Sequence, residues 1–370
     1  MRNFTLLQQN RLGQQFMVGI LTCTMGMTSL SEDHLLAQPP KLRPDLPLTS
    51  QSTPSLQLLH SLRGHHSPIF GIRALAITPD GSTLVSGGRE GKIILWNIKS
   101  GAKLREWSGH LEGVESITLS PDGQILVSGG IDREVKAWNL ASGELLYTIN
   151  GHSAPVGKVK FSPDGKTLAT GSDDRTVKLW QPSTGRLLGT IGGLLGYPSD
   201  LVFTPEGRRL ITSEKGTEKS IIRIWNLRNQ KLLRSIPTPD SGMDRIALTK
   251  DGKYLVGIGF GQIFAPDRAM HTMKLWHLPT GKIVDEFPEN VTSLSSLAVS
   301  RDGKMMICGT EKGNLQIWDL PRRKLLHRSD NYGQAIVSLV LSANRQILVG
   351  SLQDGTLQVW QLSNSLGDRH

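Results

Sequence analysis

Cysteine is nearly absent. Cys23 and Cys308 are the two in 370 residues, too few for a disulfide-stapled scaffold or a four-cysteine zinc site. No apolar run reaches the ~18 residues that a bilayer-spanning helix requires. Charged residues make up 20%, too few for a chain kept unfolded by self-repulsion. Glycine and proline together number 59, short of the bias of collagen or low-complexity chains. Catalytic signatures are missing as well: there is no H-E-x-x-H, C-x-x-C, G-x-S-x-G or phosphate-loop pattern. No histidines pair at metal-ligand spacing, and no motif asks for a cofactor. What is left is a Gly-rich, β-rich chain with a formal net charge of +10.

Aromatic residues are only 5% of the chain, yet eight of them are tryptophans. Seven close the same kind of segment, from KIILW at Trp96 through Trp138, Trp180, Trp225, Trp276 and Trp318 to TLQVW at Trp360. Their spacings are 42, 42, 45, 51, 42 and 42. A second marker is the turn at Asp80-Gly81 and its counterparts down to Asn344-Arg345; from each tryptophan to the next such turn is always 26 residues. The extra residues of repeats four and five therefore lie between turn and tryptophan. Each repeat parses into short strands: in repeat three, GKVKFS, TLATGS, TVKLW and RLLGTI are separated by PDG, DD and STG. Asp-Gly and Thr-Gly supply the positive-φ residues of tight hairpins, and Val177 and Leu179 alternate with Thr176 and Lys178 at strand period. Four antiparallel strands, seven times over, predict an all-β, seven-bladed β-propeller.

Gly64-His65, Gly109-His110 and Gly151-His152, the SPDG turns and the closing tryptophans together resemble WD40 repeats over residues 56–362. The resemblance implies a buried hydrogen-bonded network in each well-formed blade. It maps onto His65, Ser86, Glu90 and Trp96; His110, Ser128, Asp132 and Trp138; and His152, Thr170, Asp174 and Trp180. Repeats four to six lack both histidine and aspartate, so those blades are expected to be looser. Cys308 takes a position filled by Ser or Thr elsewhere and reads as buried filler. The resemblance further implies a protein-interaction scaffold, not an enzyme, on a monomeric ring.

After Trp360 only ten residues remain, too few for another outer strand. Upstream, LQLLHSL matches the outer strands GELLYTI and RKLLHRS, so a strand near 56–62 should close the last blade, as the family precedent implies. Residues 1–55 stand apart as an N-terminal segment and 363–370 as a tail. Within the former, the apolar stretch 16–30 resembles a secretory signal or short membrane anchor, with a disordered arm as the alternative. Residues 38–55 read as an extended Pro-rich linker. The compartment stays open, with export or membrane association favoured over the cytoplasm.

Strand order assigns loops to faces. Loops between second and third strands and between blades share the top; DG-type and STG-type turns share the bottom. The insert of repeat five carries Phe260, Ile263, Phe264 and Arg268, with Tyr197 on the same face; these are candidate contacts for an unidentified protein partner. A loop that folds down to plug the channel is the other reading. Bottom-face cations gather over repeats four to seven: Arg208, Arg209, Arg228, Lys231, Lys250, Lys253, Arg301, Lys304, Arg322, Arg323 and Lys324. Such a face suits an anionic membrane surface. A nucleic-acid-binding or enzymatic propeller is the alternative, though no nucleic-acid motif accompanies the charge.

Overall fold

The computed structural model describes residues 54–65, 72–216, 220–238, 242–260, 271–287 and 294–363. The apolar stretch 16–30, the linker up to residue 53, the insert residues Ile263, Phe264 and Arg268, and the tail after Ser363 lie outside them.

Blade three shows how the repeat folds. Its strands, a to d from the axis outward, are Val156–Phe161, Leu168–Ser172, Thr176–Gln181 and Arg186–Ile191, each paired with the next. The a–b turn is locked by its own side chains. Ser162 Oγ donates to Asp164 Oδ1 at 2.6 Å, and the amides of Lys166 and Thr167 donate back to Asp164 Oδ1 (3.1 Å) and Ser162 Oγ (2.9 Å). Gly165 completes the turn at a φ of 70°, where a side chain would be strained. The same hydroxyl-to-carboxylate bond recurs at Thr249–Asp251 and Ser300–Asp302, 2.6 Å each. Each turn acid is thereby engaged by its own turn, with Asp302 also pairing with Arg345 of the next blade at 2.8 Å. The turn hydrogen bonds hold Asp80, Asp122 and Asp164 below the usual carboxylate range.

Twenty-eight strands form seven such four-stranded antiparallel sheets. One blade has two apolar faces and cannot bury either alone, so the core is divided into seven clusters between neighbours. In each, the strand-c tryptophan of one blade packs on the blade before it. Trp138 meets Val85 and Leu95 of blade one, and Trp180 meets Val127 and Ala137 of blade two. Burial of a large apolar side chain contributes about 1.5–3 kcal/mol.

Ring closure follows the sequence expectation. Strands Ile336–Leu341, Ile347–Leu352 and Leu357–Ser363 supply a, b and c of blade seven, and Ser55–Leu62 supplies d. Ser55 lies opposite Ser363 and Leu62 opposite Leu357. The seam with blade one is sealed by Leu62, Ile72, Ile94, Trp96, Val349 and Val359. A hydrogen bond from Ser338 Oγ to the Arg73 carbonyl, 3.2 Å, crosses it.

Candidate functional site

The three expected networks come together in space. In blade two, Trp138 Nε1 can only donate, so Ser128 Oγ accepts from it at 3.0 Å. The hydroxyl hydrogen then goes to His110 Nε2 (2.8 Å), and His110 Nδ1 donates to Asp132 Oδ1 at 2.8 Å. That order makes His110 the neutral Nδ1–H tautomer. Asp132 also accepts from the amides of Leu111 (3.1 Å) and Glu134 (3.2 Å), tying a top loop to the blade. Blade three repeats it through Trp180, Thr170, His152 and Asp174 at 2.8, 2.7 and 2.8 Å. In blade one, Trp96 and His65 both reach Ser86 at 2.8 Å, and Glu90 accepts from His65 in the aspartate's place.

Burial pushes His110 and His152 below the ordinary histidine value, against the pull of their aspartates. A histidine depressed in the fold stabilises it above the unfolded value and loses that contribution as the pH falls. The urea midpoint is therefore expected to drop between about pH 7 and pH 5.5, with a slope of at most ~1.4 kcal/mol per pH unit for each histidine. Changing His110→Asn and His152→Asn together should lower the midpoint at neutral pH and flatten the decline. An unchanged slope would refute the assignment.

Blade four lacks the histidine and aspartate but carries a different buried network. Trp225 Nε1 donates to Thr212 Oγ1 at 3.0 Å, and Thr212 donates to Glu214 Oε1 at 3.1 Å. Glu214 Oε2 accepts from the amide of Leu195 at 3.0 Å and lies 3.3 Å from Arg223 Nη1, which donates to the Gly193 carbonyl at 2.9 Å. A Glu–Arg pair thus does what His–Asp does elsewhere. In blade six Trp318 turns to Gln316 Oε1 at 3.3 Å, beside the fully buried Cys308. Blades five and seven have Gly257 and Gly350 where a hydroxyl would stand. Their tryptophans lean in until an added Cβ would meet the ring at 2.9 Å, and Trp276 Nε1 has no acceptor among the described residues.

Among the described residues, one metal-like cluster appears that sequence spacing did not reveal. Ligand atoms of His110, Asp132 and Glu134 lie within 4.8 Å of one another. Lys136 Nζ already sits there, 2.9 Å from Glu134 Oε2 and 3.9 Å from Asp132 Oδ2, and His110 is engaged at both nitrogens. An ammonium fills the cation's role.

The two faces differ in character. On the top, Tyr197 begins strand a of blade four and is exposed. Phe260 is the last residue of the strand Tyr254–Phe260. Two apolar side chains that sequence patterning did not single out stand out on top loops: Leu111, 89% exposed, and Leu195, 61% exposed. On the bottom, Arg208, Arg209, Arg228, Lys231, Lys250, Lys253, Arg301, Lys304, Arg322 and Lys324 are exposed and Arg323 is half-buried. Arg322 pairs with Asp319 at 2.8 Å.

A family model described as WD domain, G-beta repeat matches residues 56–97, 101–139, 143–181 and 281–319. No curated protein matches the chain. The unmatched stretch 182–280 holds blade four with its Glu–Arg pair and the lengthened repeat five. Four matched repeats, and seven blades locked by their own first strand, place the chain in the WD40 repeat family.

Proposed function

We propose that the chain is a non-enzymatic protein-interaction scaffold whose top face receives a protein partner. WD40 propellers commonly serve as such scaffolds, but fold alone does not assign function. The observation that supports the reading is apolar exposure on the top face: among the described residues, Leu111, Leu195 and Tyr197 turn toward solvent there. Each loop is anchored from below, Leu111 through its amide to Asp132 and Leu195 through its amide to Glu214. The side chains are therefore presented on a rigid base, which lowers the ordering cost of binding.

Affinity capture under crosslinking tests it, with Leu111→Ser, Leu195→Ser and Tyr197→Ser combined in one variant. Capture of the wild-type partners is expected to fall at least about tenfold, the loss of some 1.4 kcal/mol of hot-spot contact. The melting temperature should not change. A bottom-face Arg208→Ala, Arg209→Ala variant should capture as the wild type does. Equal capture by the top-face variant would discard the proposal.

A further inference from the structure

The axis of the ring is lined by the strands a, and in blades two to seven each carries a register shift near its top end. The shifts fall between Val114 and Ser116, Val156 and Lys158, Pro198 and Asp200, Met243 and Arg245, Leu294 and Ser296, and Ile336 and Ser338. Such irregularities re-aim side chains. Here they border a central cavity of about 440 Å³ touched by all seven blades, within the range of about 300–1,000 Å³ typical of small-molecule sites.

Its charges do not balance. Arg73, Lys158, Lys160 and Arg245 line it, against two carboxylates, Glu115 and Asp200. Both carboxylates are engaged. Glu115 pairs with Arg89 at 3.0 Å, and Asp200 accepts from the amides of Leu201 (2.9 Å) and Ile246 (3.0 Å), the latter in the next blade. Asp244, beside the mouth, pairs with Lys215 at 3.0 Å. None of the four lining cations has an ion pair among the described residues, and Arg245 spends one N–H on the Asp244 carbonyl at 3.0 Å. Burial and the nearby Arg245 pull Lys158 down to about 7, with Asp200 and Glu115 offsetting them only in part. Arg73 is lowered too, chiefly by desolvation and further by Arg89 and Arg245, with Glu115 and Asp244 offsetting them in part. Arg73 is exposed and Lys158 and Arg245 are half-buried, so cations from blades one, three and five gather around a solvent-open mouth in excess of its two carboxylates, and a bound anion relieves their mutual repulsion.

We propose that the top mouth of this channel binds a small tetrahedral oxyanion of the phosphate or sulfate class, held by Lys158, Arg73 and Arg245. Arginines offer fixed forks of N–H donors and lysine a mobile ammonium, the pair of geometries that suits such an oxyanion. Spaced around the axis on blades one, three and five, they approach it from different sides.

Calorimetric titration of the full chain with sodium sulfate, at constant ionic strength, decides the matter. Sulfate keeps its charge throughout, whereas phosphate titrates, so sulfate carries the pH series and inorganic phosphate is a second probe at about pH 6. One saturable site is expected at about pH 6 and several-fold weaker binding at about pH 8.5, as Lys158 loses its proton. The charged groups around Lys158 are Glu115, Lys160, Asp173, Asp200, Arg245 and, through Arg245, Arg73. Lys158 is the one brought into the tested interval. Lys158→Met, Arg73→Ala and Arg245→Ala should each weaken binding at least tenfold. Lys158→Arg should retain it and lose the pH dependence, which separates the lysine from Asp173. Lys158→Met keeps the aliphatic stem and removes a crowded charge, so it should melt no lower than the wild type. Absence of a saturable site, or wild-type affinity in the three channel variants, overturns the proposal.

Discussion

Deleting residues 1–63 is expected to abolish cooperative unfolding, while deleting residues 1–50 leaves the melting transition nearly unchanged. The larger deletion removes the whole strand Ser55–Leu62, and with it the outermost partner of Leu357–Ser363. It exposes a row of unpaired backbone groups on blade seven, a template for association with other chains. It also takes Leu62 from the seam with blade one, where Ile94, Trp96, Val349 and Val359 depend on it. In a ring each interface has only its neighbours to rely on, so an opened seam frees both adjoining blades. Thermal circular dichroism with size-exclusion chromatography reads the result. A monomeric fragment 64–370 with one sharp transition would refute the closing role of the strand.

The largest single-residue effect should come from Glu214→Ala, a loss of about 3–5 kcal/mol, because it strands the Arg223 charge. The Glu214 side chain is fully buried and that of Arg223 is 11% exposed. Alanine also orphans the Leu195 amide and the Thr212 hydroxyl that now end on the carboxylate. Burial lifts Glu214 above the usual carboxylate range, although the Leu195 amide, Arg223 and Thr212 oppose it. The folded chain therefore holds this proton more tightly than the unfolded one. Glu214 then favours folding in acid, and that contribution is lost as the pH rises through its folded value. Glu214→Gln keeps an acceptor for the amide and removes the titration, so it should lose less stability. Urea denaturation of the three proteins checks the order; equal midpoints for the alanine variant and the wild type would show that blade four does not lean on the pair.

Much of the ring was legible because its markers are local and repeated. A tryptophan every forty-odd residues and a turn 26 residues later fix the blade count without any tertiary information. The outer-strand likeness of LQLLHSL fixes the closure. Networks in blades one to three were legible for the same reason, since a hydroxyl stands ten residues before each tryptophan at Ser86, Ser128 and Thr170. In blade four the hydroxyl is Thr212, thirteen residues before Trp225, and its charged partners are Glu214 and Arg223. Neither the spacing nor the residue types announce them. Leu111 and Leu195 look like core residues in a hydropathy pattern; only their place on top loops shows them facing water. Arg73, Lys158 and Arg245 are scattered over more than 170 residues and meet only because the ring brings the inner strands of blades one, three and five to one axis.

The join at blade seven carries a topological consequence. Ser55 and Ser363 are paired residues on adjacent strands, which run about 4.7–4.9 Å apart. A short peptide could bridge them, and new ends could then be opened at the outer hairpin of any other blade, where the same kind of seam already exists. The order in which the ribosome delivers the blades is thus separable from the arrangement that holds them. A circularly permuted gene would encode an equivalent closed wheel, with its beginning and end moved to a different spoke.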